Sequence, residues 1–179
     1  MTRAELEHAI RAACDVAQDT ELYVFGSQAI LGQFPHAPAS LRQSAEADVA
    51  PKNRPEMVDA IDGALGELSQ FHETHGFYVH GVPIETATVA EGWRDRTVKV
   101  QNENTHRRIG WCLEGHDLAA SKLAAFRDKD REFVRTLLAE KLINSRTLKK
   151  RITQLPVTGE IRTRLLAWLE RTTRDLAAL

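Results

Sequence analysis

Over the first 115 residues, hydrophobic positions follow a strand-like pattern in some segments and a helix-like pattern in others. Beyond them the helix-like pattern continues alone. Short runs rich in β-branched and aromatic residues, or alternating apolar with polar positions, predict strands. Apolar positions three or four residues apart predict helices from Thr2 to about Gln18 and from Pro55 to about Phe71. The predicted strands are Glu21–Phe25, Glu46–Ala50, Phe77–His80, Val82–Glu85, Arg96–Val100 and Ile109–Leu113.

Beyond His116 the hydrophobic pattern is helical throughout. Asp117 directly precedes an apolar run and is expected to be an N-cap, and Asn144 is expected to cap a later, shorter helix. We therefore predict an α+β fold. Residues 1–115 form a mixed β-sheet flanked by helices, and residues 116–179 form a helical C-terminal region packed on that core.

Composition places the chain among globular proteins without a disulfide or zinc framework. Its 179 residues are 42% hydrophobic and 27% charged, and its two cysteines, Cys14 and Cys112, stand far apart. The start of the chain lacks the pattern of a signal peptide, and no run of 18 apolar residues occurs. We expect a cytoplasmic protein that does not enter the membrane.

Charge is distributed unevenly along the chain. Residues 1–140 hold 15 basic and 22 acidic residues, whereas residues 141–179 hold 9 basic and 3 acidic ones. A basic tail on an acidic body is typical of a surface that binds a polyanion, but solvated helix faces produce the same asymmetry. Both interpretations stay open at this point.

Two short motifs could carry chemistry. Gly26-Ser27 ends a predicted strand and opens a helix, where backbone N–H groups can hold a phosphate. Glu46 and Asp48 are one pleat apart and point the same way from a strand, and such a pair either faces water or shares a cation such as Mg²⁺.

Together these motifs resemble the nucleotidyltransferase superfamily, in which an apolar strand and Gly-Ser are followed by acid-aliphatic-acid on the next strand. The resemblance implies that Gly26 and Ser27 hold the phosphates of a nucleoside triphosphate, while Glu46 and Asp48 bind Mg²⁺ and are catalytic. The chain departs from the family in a long spacer, 18 residues between Ser27 and Glu46, and in a first acid that is Glu where Asp is typical.

A second segment, His116–Asp130, resembles the Asp-Leu-x-x-x-Lys-Leu-x-Ala-x-Arg-x-Lys-Asp stretch of bacterial nucleotidyltransferase-like proteins, including those of toxin-antitoxin and abortive-infection systems. The resemblance implies nucleotide contacts for Lys122 and Arg127 and an active-site role for Asp130. On one continuous helix Lys122 and Arg127 would lie about 140° apart and would not share a face.

Two further expectations concern the rest of the site. Glu85, on the strand predicted after Gly81, is the candidate third metal ligand, against the alternative of an ordinary solvent-facing acid. His72, His75 and His80 lack the spacing of zinc ligands and are expected to be surface or core residues.

The resemblance implies a Mg-dependent transfer of a nucleoside monophosphate to an acceptor hydroxyl. The acceptor is RNA, such as a tRNA 3′ end, or a protein, and a basic tail favours RNA. A toxin role with a cognate antitoxin is part of what the resemblance implies. The alternative is a non-catalytic nucleotidyltransferase-like module that binds a partner protein or RNA. The tail residues in question are Lys149, Lys150, Arg151, Arg162 and Arg164.

Overall fold

The computed structural model describes residues 1–178 and divides the chain into two compact units. The first consists of Met1–Ala87 and Arg96–Glu114, and the second consists of Thr88–Asp95 and the chain from Gly115 onward. The sequence predicts a boundary at residue 115. Residues 88–95, which that prediction assigns to the core, belong to the second unit.

A five-stranded mixed sheet forms the centre of the first unit, which confirms the predicted α+β class. Its strands are β1 Glu21–Phe25, β2 Glu46–Pro51, β3 Tyr78–Gly81, β4 Val98–Val100 and β5 Ile109–Cys112. They lie in the order β3-β2-β1-β5-β4. The pairs β1/β2 and β4/β5 are antiparallel, while β1/β5 and β2/β3 are parallel, so β3 and β4 are the edges.

Four helices belong to this unit: α1 Arg3–Ala17, α2 Ile30–Gln33, α3 Val58–Leu65 and α4 Gln70–His75. Thr2 caps α1 through the predicted capping box with Glu5. The single helix predicted from Pro55 to Phe71 is wrong, because the backbone turns extended at Gly66 and left-handed at Leu68 before α4 begins.

One face of the sheet is packed against helices. Leu22 and Val24 of β1 are fully buried, and Gly110 of β5 leaves room for Ile10 of α1, whose side chain a Cβ at position 110 would meet at 2.5 Å. Side chains alternate along a strand, so Phe25, Glu46 and Asp48 point to the opposite face. The acid pair is therefore on the side of the sheet away from α1.

The second unit is helical, with α5 Gly115–Ala125, α6 Asp128–Ala139, α7 Ser145–Thr153 and α8 Gly159–Ala177. Asn144 caps α7 as predicted, accepting a hydrogen bond from the Thr147 backbone N–H. Asp117 is not an N-cap: α5 begins two residues earlier, and Asp117 is fully buried inside its first turn. Within residues 1–178, no helix combines the length and apolar character needed to cross a bilayer.

The strand predicted over Val82–Glu85 does not form. β3 ends at Gly81, Pro83 follows in an extended conformation without an N–H for a sheet ladder, and Ile84–Thr86 make a 3-10 turn. Glu85 is consequently an exposed residue of a turn rather than a strand residue beside the acid pair.

Candidate metal and nucleotide site

The turn after β1 is built on Gly26. This residue has φ +66° and ψ −173°, a backbone conformation that favours glycine. A Cβ at this position would stand 1.8 Å from Asp48 Oδ2, so the turn packs directly on the carboxylate of the next strand. Glycine is required here both by the backbone angle and by the approach of Asp48.

Ser27 and Gln28 follow Gly26 in a three-residue 3-10 helix, Ser27–Ala29, ahead of the four-residue α2. Helices this short add little macrodipole, so the helix-terminal charge expected from the sequence is weak. Gln28 is fully buried, and neither its amide nitrogen nor its amide oxygen has a hydrogen-bond partner among residues 1–178. Buried amides without partners are rare in folded proteins.

Glu46 and Asp48 occupy alternate positions on β2 and share the sheet face, as predicted. Asp48 pairs in register with Phe25 at the end of β1, which places the carboxylate beside the Gly26-Ser27 turn. The side chain of Glu46 is 34% exposed and that of Asp48 is 25% exposed. Both carboxylates are thus accessible to a ligand while their backbone is fixed by the sheet.

His80 joins the acid pair from the neighbouring edge strand. It lies opposite Asp48 in the parallel register of β2 and β3, where paired side chains project to the same face. Its Nδ1 is 3.1 Å from Glu46 Oε1 and 3.2 Å from Asp48 Oδ1. One ligand atom from each of the three residues lies within 4.8 Å of the other two.

The sequence predicts that His80 is a surface or core residue, and the structure places its partly exposed imidazole against the acid pair. The signal that points to it is the alternation Tyr78-Val79-His80, which matches Glu46-Ala47-Asp48 residue for residue in the register of β2 and β3. His72 and His75 lie elsewhere, packed against Tyr78 and against His8 and Phe71 respectively.

The site is electrostatically negative. Tyr78, which pairs with Glu46 in register, has a raised pKa, first because it is partly buried and then because Glu46, Glu67 and Asp48 disfavour a phenolate. The negative potential that opposes ionisation of Tyr78 would also attract a cation to the acid pair.

The donor set suits a divalent metal ion. Two carboxylate oxygens and one imidazole nitrogen converge on an accessible point, and the glycine at position 26 leaves room for the Asp48 carboxylate. The structure does not bring Glu85 into this group; His80 takes the position expected for a third ligand.

A second cluster forms in the helical unit around Asp130, which is fully buried in the first turn of α6. Its Oδ2 accepts a hydrogen bond from Arg127 Nε at 2.6 Å, and its Oδ1 lies 3.4 Å from Lys122 Nζ. Burial alone would raise the pKa of Asp130, but the hydrogen bond from Arg127 and the charge of Lys122 outweigh it and lower that pKa.

A break in the helix explains how both cations reach one carboxylate. Phe126 adopts a left-handed conformation, φ +56°, between the end of α5 and the start of α6. The angle of about 140° predicted for one continuous helix no longer applies. Lys122 and Arg127 therefore converge on Asp130 although they are five residues apart.

The basic tail is only partly a solvated surface. The Nε of Arg151 is 3.4 Å from Oδ1 of the fully buried Asp117, and Arg162 donates hydrogen bonds to the carbonyl oxygens of Leu155 and Val157. The guanidinium of Arg164 lies 4.5 Å from the centre of the Phe126 ring. Arg151 and Arg162 thus bind within the helical unit, whereas Lys149, Lys150 and Arg164 are exposed, with Lys149 Nζ 3.8 Å from Glu170 Oε1.

A mixed sheet with a glycine-serine turn packed on an aspartate of the next strand is the arrangement that the resemblance to nucleotidyltransferases predicts. The chain belongs to the family described as nucleotidyltransferase of unknown function (DUF6036), whose model matches residues 4–172. No curated protein and no solved structure gives a significant match to the chain.

Proposed function

We propose that this protein is a metal-dependent nucleotidyltransferase that moves a nucleoside monophosphate from a nucleoside triphosphate to an acceptor hydroxyl. The observation that carries the proposal is the contact between Gly26 and Asp48, which joins a candidate phosphate-binding turn to a candidate metal ligand. A structural glycine turn has no need of a carboxylate against it, whereas a metal-bound triphosphate needs both groups at one place.

Glu46 and Asp48 would hold the divalent metal ion, and the backbone of Gly26 with the hydroxyl of Ser27 would contact the triphosphate. When bound, the ion neutralises phosphate charge and polarises the attacking hydroxyl. The sheet fixes the backbone of both acids, so their side chains already project from one face before the nucleotide arrives.

The reaction proposed is a displacement at the α-phosphorus. The acceptor oxygen forms a new bond to that phosphorus, the bond to the bridging oxygen of pyrophosphate breaks, and the hydroxyl proton passes to solvent. The residues of this chain contribute mainly by positioning the reacting groups and by compensating charge.

Lys122 and Arg127 are proposed to contact the phosphates, as the resemblance implies. Asp130 is fully buried, so we propose that it acts by holding the two cations in position. The lowered pKa of Asp130 keeps the carboxylate charged at neutral pH, so the cluster retains one anion against two cations.

The acceptor is proposed to be an RNA hydroxyl, on the support of Lys149 and Lys150, two adjacent exposed cations of the tail. Replacing both with Ala should flatten the dependence of RNA affinity on salt, with the log-log slope reduced by about 0.7 for each phosphate that the variant no longer neutralises. An unchanged slope, together with label transfer to protein, would favour a protein acceptor.

A toxin role is proposed on the resemblance alone. If transfer inactivates an RNA or protein that growth requires, expression of the wild-type chain arrests growth, and expression of Asp48→Asn does not. Growth arrest by both forms at equal protein levels would separate toxicity from nucleotidyl transfer.

Calorimetry with a non-hydrolysable nucleoside triphosphate and a divalent cation tests the proposal against the alternative of a non-catalytic module. We expect the wild type to bind the nucleotide only when the cation is present, and Asp48→Asn to lose that dependence. Binding that is absent from the wild type under all conditions would favour the non-catalytic module.

A further inference from the structure

The imidazole of His80 points one nitrogen at the acid pair and the other at a residue of α3. While Nδ1 faces Glu46 and Asp48, Nε2 lies 3.9 Å from Oδ1 of Asp62. The side chain of His80 is 43% exposed, so the ring is not fixed by burial. Its orientation therefore depends on the charged groups at its two ends.

We propose that His80 is a metal ligand through Nδ1, that Asp62 orients it, and that the resulting site prefers Mn²⁺ to Mg²⁺. This inference rests on the proposed function, because it concerns the same metal site. It adds a third ligand, a positioning residue outside the ligand set, and a choice of metal.

The distances fit a shared ion. Two ligands at right angles around an ion with bonds of about 2.1 to 2.2 Å are separated by about 3 Å. The separations from Nδ1 to the two carboxylate oxygens, 3.1 and 3.2 Å, have that value.

Asp62 lies on the far side of the imidazole, with Oδ1 3.9 Å from Nε2, longer than a direct hydrogen bond but within reach of a small side-chain rotation. A carboxylate at the far nitrogen favours the tautomer with the proton on Nε2, which leaves the Nδ1 lone pair to the metal. Asp62 follows one helical turn after Val58, whose carbonyl oxygen packs on Gly81; a Cβ at Gly81 would stand 2.1 Å from that oxygen. This close approach brings α3 to the edge strand beside His80.

The chemistry of the ligands determines the preferred metal. Mg²⁺ is a hard ion that takes oxygen ligands, and an imidazole nitrogen is a better ligand for transition metals. Mn²⁺ accepts carboxylate oxygens and still binds nitrogen more readily than Mg²⁺ does. Two carboxylates with one imidazole therefore favour Mn²⁺ where a third carboxylate would favour Mg²⁺.

The test measures metal binding without nucleotide or turnover. Mn²⁺ affinity is obtained by titration followed by electron paramagnetic resonance of the unbound ion, and Mg²⁺ affinity by competition. We expect the wild type to bind Mn²⁺ at least tenfold more tightly than Mg²⁺. His80→Ala and Asp62→Asn should each weaken Mn²⁺ binding by about 10- to 100-fold. His72→Gln, a histidine outside the cluster, is the matched control and should change neither affinity.

Two further measurements make the outcome specific to His80. Spin-echo modulation from a directly coordinated nitrogen should be present with Mn²⁺ in the wild type and absent in His80→Ala. His80→Asp, which creates an all-oxygen ligand set, should reverse the preference towards Mg²⁺.

Unchanged Mn²⁺ affinity in His80→Ala, or no nitrogen coupling in the wild type, overturns the inference while leaving a site made of Glu46 and Asp48. Absence of any divalent binding to the wild type overturns the proposed function as well.

Discussion

Gly26 and Asp48 are packed so closely that no side chain fits between them: a Cβ on Gly26 would stand 1.8 Å from Asp48 Oδ2. The turn after β1 and the acid of β2 are 22 positions apart in sequence and touch in the structure. Any change at Gly26 must therefore move the carboxylate that is proposed to bind metal.

Gly26→Ala should weaken divalent metal binding by at least tenfold while leaving the protein folded. The atom that the new Cβ meets is the end of a side chain, so Asp48 can rotate away. The backbone at φ +66° and ψ −173° lies in a region that is almost confined to glycine, which adds a cost of about 1 to 3 kcal/mol. Metal titration and chemical unfolding of the variant measure the two effects.

Gly76→Ala is the matched control for that variant. Gly76 also has a positive φ, +73°, but its ψ of +8° is left-handed helical and a Cβ there meets nothing within 4 Å. Its replacement should cost about 1 to 2 kcal/mol of stability and leave metal binding like that of the wild type. An equal weakening of metal binding in the two variants would show that the approach of Gly26 to Asp48 does not position the carboxylate.

Asp130→Asn should destabilise the helical unit by about 3 to 5 kcal/mol at pH 7, because it removes the charge of a fully buried carboxylate from its ion pairs with Lys122 and Arg127. A carboxylate with a lowered pKa stabilises the fold above its unfolded-state pKa, about 3.9, and that stability is lost as pH falls through the folded-state value. The difference between wild type and variant should thus shrink below about pH 4. Urea unfolding at several pH values measures it.

Asp128→Asn provides the comparison on the same helix turn. Asp128 is exposed and pairs with Arg131 at the surface, so its replacement should change the free energy of unfolding by no more than about 0.5 kcal/mol. If Asp128→Asn lowered the free energy of unfolding as much as Asp130→Asn does, the burial of Asp130 would not explain the effect of its replacement.

Arg151→Ala should destabilise the protein by several kcal/mol, while Lys150→Ala should be neutral within about 0.5 kcal/mol. Arg151 is the partner of the fully buried Asp117, whereas the neighbouring Lys150 is exposed. Thermal unfolding of the two variants distinguishes a structural cation from a surface cation. Equal thermal stability of the two variants would contradict a stabilising role for the buried Arg151–Asp117 ion pair.

Local patterns in the sequence predict the part of the site that β1, the turn at Gly26 and β2 form. The run Tyr23-Val24-Phe25 before Gly26 and the alternation around Glu46 and Asp48 are short-range signals, and the strands and the turn form where they indicate. The α+β class follows from the same alternation of strand and helix.

The contribution of His80 depends on information that the local pattern does not hold. His80 lies beside Asp48, 32 positions earlier in the sequence, because of the parallel register of β2 and β3 and the end of β3 at Gly81. The prediction of Glu85 requires a further strand that contains Pro83, which lacks the N–H that a strand ladder needs.

The cluster around Asp130 in the helical unit likewise depends on a feature that the local sequence pattern does not reveal. Spacing on a continuous helix separates Lys122 from Arg127, but the left-handed Phe126 ends α5 and brings both cations to Asp130. Phe126 is neither Gly nor Asn, the residues that usually mark such an end, so the break has no signal in the sequence.

Transfer of label from α-³²P nucleoside triphosphates to total RNA or total protein, compared between the wild type and Asp48→Asn, tests the central claim most directly. We expect incorporation that requires a divalent cation and falls roughly a thousandfold or more in the variant, because one metal ligand supplies several kcal/mol of transition-state stabilisation. Unfolding curves should show that the variant is at least as stable as the wild type, since a like-charge pair is relieved. Incorporation by Asp48→Asn within about tenfold of the wild type, a difference of only about 1.4 kcal/mol, would contradict the proposed role of Asp48 as a metal ligand.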